Sequence, residues 1–322
     1  MTAPRVLGIH HVTAIAGDPQ RNLDFYAGVL GLRLVKRTVN FDDPGTYHFY
    51  YGDETGTPGS ILTFFPWPAG RAGRVGAGQV AVTSFAIVPS ATGYWIERLV
   101  QHGVAFEGPI SRFDERVVTF RDPDGLMIEL VAHAGAESRA GWGGGSVPAD
   151  VAIRGVHTVT LWEQDAAETT RLLTGTLGFR EVGTDGSITR FAAGDGTSGT
   201  LVDVRATAGF PRGVGGVGTV HHVAWRVESD AEEERMREQV ERAGLRITPM
   251  IDRQYFHSMY FREAGGVLFE LATDVPGFTI DEPVEALGET LKLPPQYEGR
   301  RPQIEGRLPA VHLPGAALAE GQ

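Results

Sequence analysis

The chain has 322 residues, a formal net charge of -11 at pH 7, 42% hydrophobic and 21% charged residues, and no cysteine. This composition is typical of a globular protein, and the length exceeds that of an ordinary single core, so we expect two domains. The lack of cysteine excludes disulfides, thiolate nucleophiles and thiolate-bound metals, which leaves His, Asp and Glu as metal ligands.

The charge pattern and the hydropathy pattern exclude two further classes. The acidic chain has no dense basic run, which argues against a nucleic-acid surface. It has no apolar run of about 18 residues, which argues against a membrane span. Its N-terminal segment, MTAPRVLGIHH, lacks the layout of a signal peptide. We therefore expect a cytoplasmic protein that binds neither nucleic acid nor membrane.

The most informative feature is an internal repeat, in which four windows follow one plan. Each window begins with a short strand, continues with an amphipathic helix that ends near glycine, and finishes with three strands. The windows cover about residues 7–66, 79–133, 153–206 and 219–273. We refer to them as modules 1 to 4.

Helix boundary residues support these windows. Asp18 and Pro19 predict the start of the first helix, and Gly103 predicts the C-terminal end of the second. Asp165 marks the start of the third helix, and Asp230 is the expected N-cap of the fourth.

Modules 2 and 4 align directly. Residues 117–130, VVTFRDPDGLMIEL, and residues 258–271, SMYFREAGGVLFEL, align without a gap and share five of fourteen residues. The shared residues include a glycine turn and the pair Glu129 and Glu270. The chain therefore repeats a βαβββ unit four times.

A Gly- and Ser-rich stretch at 139–152 predicts the boundary between two domains. We assign 1–138 and 153–274 to an N-terminal and a C-terminal domain of two modules each. The remaining segment, 275–322, is rich in Pro, Gly and charge. We expect it to wrap around the domains, with one short helix near PVEALGETL and a mobile extreme end.

Residues 7–274 resemble the vicinal oxygen chelate superfamily, which includes glyoxalase I, extradiol dioxygenases and fosfomycin-resistance proteins. The resemblance implies an α+β fold in which four βαβββ modules are paired into two domains. In that superfamily the strands of paired modules curl into half-barrel sheets around a metal.

The candidate metal ligands come from equivalent positions of the repeat. Alignment of the four first strands brings together His11, Ser84, His157 and His222. Alignment of the four last strands brings together Thr63, Glu129, Asp203 and Glu270. Two imidazoles and one carboxylate are the ligand set of a mononuclear non-heme Fe(II) site.

Strand alternation sorts the two His-His doublets. In each doublet the second residue, His11 or His222, shares its face with polar neighbours and is the better ligand. His157 lies on an apolar stripe but remains an alternative to His11, because it occupies the equivalent place in module 3. Ser84 replaces the histidine in module 2, so a second metal site there is not expected and Glu129 is interpreted as structural.

The local sequence is similar to one branch, the ring-cleaving hydroquinone dioxygenases, which include chlorohydroquinone and methylhydroquinone enzymes. The similarity lies in GIHHVTAI, in LGLRLVKRTVNFDDPGTYHFYYGDETGTPGSILTFFP, in GGVLFELAT, and in GFTIDEP of the tail. It implies an iron site formed by His11, His222 and Glu270. It also implies four groups close to the substrate: His10, His221, Arg253 and Tyr260.

This resemblance implies an Fe(II)-dependent enzyme, with Mn(II) as an alternative, that opens a hydroquinone or related aromatic diol with O2. A histidine of a doublet would act as acid and base. Tyr260 and Arg253 would donate to an anionic oxygen. The candidates for the apolar wall are Trp225, Phe261 and Phe269.

Three other functions are compatible with the fold. A catechol extradiol dioxygenase would use His157 in place of His11. A glyoxalase-like lyase or isomerase would need a second carboxylate where this chain has Thr63, which counts against it. A non-enzymatic binding module would dispense with the metal triad. A small aromatic substrate and O2 are the expected partners, and a homo-oligomer is compatible with the sequence.

Overall fold

The structure, a computed structural model, describes residues 5–313 and contains sixteen strands in two eight-stranded sheets. The strands of module 1 are β1 Gly8–Ala16, β2 Arg33–Val39, β3 Tyr47–Gly52 and β4 Ile61–Pro66. Those of module 2 are β5 Gln79–Ile87, β6 Phe106–Arg112, β7 Glu115–Arg121 and β8 Met127–Ala132. Those of module 3 are β9 Val156–Glu163, β10 Arg180–Asp185, β11 Ile188–Ala192 and β12 Leu201–Ala206. Those of module 4 are β13 Thr219–Val227, β14 Ile251–Asp252, β15 His257–Arg262 and β16 Leu268–Thr273.

Each module places one helix between its first and second strands, as predicted. The α-helices are α1 Pro19–Leu23, α2 Thr92–Gln101, α3 Ala167–Arg171, α4 Asp230–Arg242 and, in the tail, α5 Arg301–Glu305. The first and third helices each continue into a π-helical turn, at Asp24–Val29 and Leu172–Thr176.

The predicted helix signals hold for the first two helices and shift by one or two residues for the others. The third helix begins at Ala167 rather than at Asp165. The Asp18 carboxylate accepts the backbone N–H of Arg21 at the start of α1. Gly103 follows α2 with φ +67°, a left-handed conformation that glycine adopts without strain. The N-cap of α4 is Ser229 rather than Asp230, since the Ser229 hydroxyl accepts the N–H of Glu232.

Two half-barrel sheets confirm the α+β fold of paired modules, but the expected pairing of modules is wrong. Sheet I, formed by modules 1 and 4, has the order β14-β15-β16-β13-β1-β4-β3-β2. Sheet II, formed by modules 2 and 3, has the order β10-β11-β12-β9-β5-β8-β7-β6. Modules adjacent in sequence therefore lie in different sheets. The repeat could not reveal this, because all four first strands present the same kind of pairing edge.

The first strands form the seam of each sheet. In sheet I, β1 runs antiparallel to β13, and each also pairs in parallel with the last strand of its own module, β4 or β16. In sheet II, β5 runs antiparallel to β9, and each also pairs in parallel with the last strand of its own module, β8 or β12. Glycine-rich connectors 67–78 and 207–218 carry the chain between the sheets and touch each other through isolated bridges such as Arg74 to Val214.

The described part of the tail packs on sheet I. The buried Lys36 ammonium donates to Asp281 at 2.6 Å and to Glu282 at 2.5 Å, which fixes the tail against β2. Only a 3-10 turn, Val284–Ala286, forms where a helix was predicted, whereas α5 was not predicted. The end that was predicted to be mobile, 314–322, lies outside the described residues. Within residues 5–313, every helix is too short or too polar to cross a membrane.

Candidate metal centre

Three strands of sheet I bring the predicted ligands together. His11 on β1 is in register with Ala224 on β13, and Ala224 is in register with Glu270 on β16. His222 lies two residues before Ala224 and therefore points to the same face of the sheet. Alternation along β13 and the pairing of three neighbouring strands thus place His11, His222 and Glu270 on one concave surface.

The three side chains converge on a common point. His11 Nε2 lies 3.3 Å from both His222 Nε2 and Glu270 Oε2, and His222 Nε2 lies 2.8 Å from Glu270 Oε2. Ligand atoms about 2.1 Å from one ion and at right angles to each other would be about 3.0 Å apart. All three side chains are buried. The spacing therefore suits a divalent metal ion bound by three ligands on one face.

Glu270 itself indicates that a cation belongs here. Within residues 5–313, neither carboxylate oxygen of Glu270 has a hydrogen-bond partner, although the side chain is fully buried. Burial alone would raise the pKa of Glu270, but His11 and His222 hold that pKa well below its ordinary value. A buried, ionised and unpartnered carboxylate is costly unless it binds a cation. The donor set therefore fits a metal ion.

The first histidine of each doublet orients the second. His10 Nδ1 lies 2.9 Å from His11 Nδ1, and His221 Nδ1 lies 2.7 Å from His222 Nδ1. Burial lowers the pKa of both His10 and His221 to about 3, so both rings are neutral and can accept a hydrogen bond. Each ligand then carries its proton on Nδ1 and leaves Nε2 free for a metal, a common arrangement around metal-bound histidine.

A cavity of about 390 Å³ opens on this face of sheet I. Its lining includes the ligand rings and, at one side, the predicted groups His221, Arg253 and Tyr260. Its aromatic side chains are Phe41, Tyr50, Phe65, Trp67 and Phe256.

The predicted apolar wall is wrong. Trp225 and Phe261 are buried and pack against Phe269 on the other face of sheet I. Trp225 alternates with His222 and Ala224 along β13, so it points away from the cavity. The aromatic lining comes instead from module 1, from Trp67 directly after it, and from Phe256 and Tyr260 of module 4.

Arg253 and Tyr260 are brought together at the cavity. Arg253 Nε donates to the Tyr260 hydroxyl at 3.2 Å, and Nη1 donates to Asp42 at 3.3 Å. The Ser258 hydroxyl also donates to the Tyr260 oxygen, at 3.2 Å. Burial, followed by the nearby Glu270 charge, raises the pKa of Tyr260, which keeps its hydroxyl protonated.

His10 lies apart from the other predicted catalytic residues. His221 is packed against His222 at its Nδ1 edge, and the rest of its side chain is exposed in the main cavity. His10 is 2% exposed and lies behind His11, where it lines a separate cavity of about 180 Å³ beside Tyr255 and Phe256. Its contact with the site passes through the His11 ring.

His48 lines the cavity but was not predicted from the sequence. It lies between Tyr50 and Phe65, with ring centroids 4.0 and 4.3 Å away, and its Nε2 is 2.8 Å from the Thr63 hydroxyl. The Thr63 hydroxyl is also 2.9 Å from that of Thr13. Because β3 and β4 pair Tyr50 with Thr63, alternation along β3 turns residue 48 to the same face. The sequence therefore carried a usable signal.

Sheet II holds the corresponding residues of modules 2 and 3, and there arginines neutralise the carboxylates. Arg112 and Ser84 both donate to Glu129, at 2.9 and 2.7 Å. Arg190 donates twice to Asp203, at 2.8 and 3.0 Å. These pairs agree with a structural role for Glu129.

His157 does not join the ligands of sheet I. It lies on β9 of sheet II, where its Nε2 is 2.9 Å from Glu115. The alternative set of His157, His222 and Glu270 is therefore wrong. The histidine that completes the cluster is His11, because β1 rather than β9 pairs with β13.

The model of the Glyoxalase/Bleomycin resistance protein/Dioxygenase superfamily matches residues 8–130 and 155–271. The chain is 48% identical over 309 residues to MhqO of Bacillus subtilis (strain 168), assigned as a ring-cleaving dioxygenase, and the match covers 95% of this chain and 97% of that protein. It is 34% identical over 308 residues to the chlorohydroquinone/hydroquinone 1,2-dioxygenase of Sphingobium indicum, with 93% and 95% covered. A crystal structure from Bacillus subtilis, also assigned as a dioxygenase, matches with a TM-score of 0.91 and 46% identity over 97% of this chain and 99% of that one. The chain therefore belongs to the Glyoxalase/Bleomycin resistance protein/Dioxygenase superfamily and, within it, to the ring-cleaving dioxygenases.

Proposed function

We propose that the protein opens the ring of a hydroquinone, or of a related aromatic diol, with O2 and a bound Fe(II) ion, for which Mn(II) is the alternative. The observation that carries the proposal is the convergence of His11, His222 and the unpartnered Glu270 at an aromatic-lined cavity. The name of the relative from Sphingobium indicum supports hydroquinone as the substrate class.

The metal would be held by the Nε2 atoms of His11 and His222 and by Glu270. An Fe(II) ion with three protein ligands on one face would supply open positions for a ring oxygen and for O2, and would transfer electrons between them. Both atoms of O2 enter the ring-opened product, so the reaction needs no further reductant. Thr63 stands where glyoxalases carry a second carboxylate, and its hydroxyl bonds to Thr13 and His48 instead.

The remaining polar groups bind and orient the substrate. Arg253 keeps its positive charge beside the Tyr260 hydroxyl, so this pair would donate hydrogen bonds to an anionic ring oxygen or to a developing oxyanion. His221 is neutral and lines the same cavity; because its Nδ1 accepts from His222, its Nε2–H would donate a hydrogen bond to a ring oxygen. The aromatic side chains exclude water and pack against the ring.

The test is O2 uptake by anaerobically Fe(II)-loaded protein after addition of methylhydroquinone, with catechol in a parallel assay. We expect uptake with the hydroquinone and little with catechol. Preference for catechol would assign the chain to extradiol cleavage instead. Iron-loaded protein that consumes no O2 with either compound would contradict the proposal and favour a lyase.

A matched pair of variants tests the metal ligands. Glu270→Gln should abolish O2 uptake and iron retention, because it removes the only carboxylate of the triad. Glu129→Gln, at the equivalent strand position of sheet II, should retain both. Equal loss in the two variants, at unchanged far-UV circular dichroism, would refute the ligand assignment.

A further inference from the structure

A second group of histidines and a carboxylate lies in sheet II, away from the proposed active site. Glu115 begins β7, His133 follows β8, and His157 lies on β9. Glu115 Oε1 is 2.9 Å from His157 Nε2 and 3.0 Å from His133 Nδ1. All three atoms lie within 4.8 Å of one another.

The contact between His157 and Glu115 is not an ordinary hydrogen bond. His157 is completely buried, yet its Nε2 has no hydrogen-bond partner among residues 5–313, although Glu115 Oε1 is 2.9 Å away. The two atoms are close but are not aligned as donor and acceptor. Glu270 and His222 combine the same features, a 2.8 Å contact and an unpartnered buried carboxylate. Such an arrangement is expected where lone pairs converge on an ion.

Neighbouring groups hold two of these ligands in place. The Ser198 hydroxyl lies 3.2 Å from His157 Nδ1, which leaves Nε2 as the free nitrogen when Nδ1 carries the proton. Arg190 Nη1 donates at 2.8 Å to Glu115 Oε2, the oxygen that faces away from both histidines. Hydrogen bonds to the far side of each ligand are typical of protein metal sites.

The local charge favours a cation despite Arg190. Asp203 accepts two hydrogen bonds from that guanidinium and neutralises it, so Glu115 retains a negative charge for the site. The His133 side chain is 28% exposed and gives an ion and its water ligands access from solvent.

We propose that Glu115, His133 and His157 form a second metal site, which binds a borderline divalent cation such as Zn²⁺ or Co²⁺. Two imidazoles and one carboxylate, completed by water, are a usual ligand set for these ions. β7 and β8 belong to module 2 and β9 to module 3, so the ion would cross-link the two modules of sheet II. The site takes no part in the proposed ring cleavage.

Equilibrium dialysis of the full chain against Co²⁺, followed by elemental analysis, tests this second site. We expect the unchanged chain to bind two equivalents of Co²⁺. His222→Ala, which loses only the site of sheet I, should bind one. His133→Phe should also bind one equivalent, since phenylalanine keeps the ring shape without nitrogen ligands. The double variant should bind none. The visible absorption bands of Co²⁺ that persist in His222→Ala should disappear when His133→Phe is added.

Glu115→Gln is the second variant, and far-UV circular dichroism verifies the fold of each chain. When Glu115→Gln is added to His222→Ala, the chain should lose its remaining equivalent of bound Co²⁺. One equivalent in the unchanged chain and none in His222→Ala would overturn the second site. An equivalent that survives both His133→Phe and Glu115→Gln would overturn the ligand assignment. These readouts do not depend on O2 uptake, so failure of the proposed reaction would not affect them.

Discussion

The contact between His10 and His11 makes a quantitative prediction about metal affinity. In His10→Phe the ring and its packing against Phe256, at a centroid distance of 5.0 Å, are preserved, but the acceptor 2.9 Å from His11 Nδ1 is lost. A buried N–H left without a partner costs about 1–3 kcal/mol. Loss of a hydrogen bond behind a metal ligand weakens binding about 10–100-fold, or about 1.4–2.7 kcal/mol. The two estimates agree, so we expect His10→Phe to bind the metal about 10–100 times more weakly.

The assay is competition for the metal with a chelator of known affinity, followed by O2 uptake at saturating metal. His10→Phe should require about 10–100 times more free metal and then recover most of its turnover. His10→Asn, which keeps an acceptor near the position of Nδ1, should restore part of the affinity. If His10→Phe binds metal normally but has no turnover at saturation, His10 acts directly on the substrate and the positioning role is refuted.

Three further predictions concern single residues. Tyr260→Phe removes a donor to the anionic oxygen and should lower kcat at least tenfold with unchanged metal content, measured by O2 uptake; normal turnover would exclude this role. Arg253→Lys should raise KM, since lysine lacks the planar fork that reaches Tyr260 and Asp42 together; an unchanged KM would contradict it. Burial, followed by the charge of Glu263, raises the pKa of Glu163 to about 8 from an ordinary 4.5. The folded state therefore keeps a proton that the unfolded state releases, and stability falls by about 1.4 kcal/mol per pH unit across that window. Glu233, whose pKa burial also raises to about 8, contributes a fall of its own, so urea unfolding of Glu163→Gln should show a smaller fall rather than none. An equal fall in both chains would refute the assignment.

The sequence predicted that His11, His222 and Glu270 converge, because these residues obey local rules. His11 and His222 occupy equivalent positions of repeated first strands, and the alternation of polar and apolar neighbours distinguishes each from the histidine before it. Glu270 stands out because residues 258–271 repeat residues 117–130. Such features depend on the period of a strand and on the repeat, and both are visible without knowledge of long-range contacts.

What the sequence did not predict depends on contacts between distant segments. The choice of β13 as the partner of β1 decides between His11 and His157, and nothing local to either strand encodes it. The position of His10 behind His11 likewise follows from how its ring packs between β1 and the turn at Phe256. His48 could have been found, had the pairing of β3 with β4 been used to orient its strand.

Because module 1 pairs with module 4 and module 2 with module 3, neither half of the chain can complete a sheet by itself. A cut within 139–152 would separate one fragment that carries His11 from another that carries His222 and Glu270. Each fragment would hold one half of both sheets and would leave the edges of β1 and β5, or of β9 and β13, without partners. The two fragments would have to intertwine to regain the triad. A protein cleaved in this exposed stretch would therefore stay folded only if its two fragments remain associated. Metal binding by the triad would show that they do.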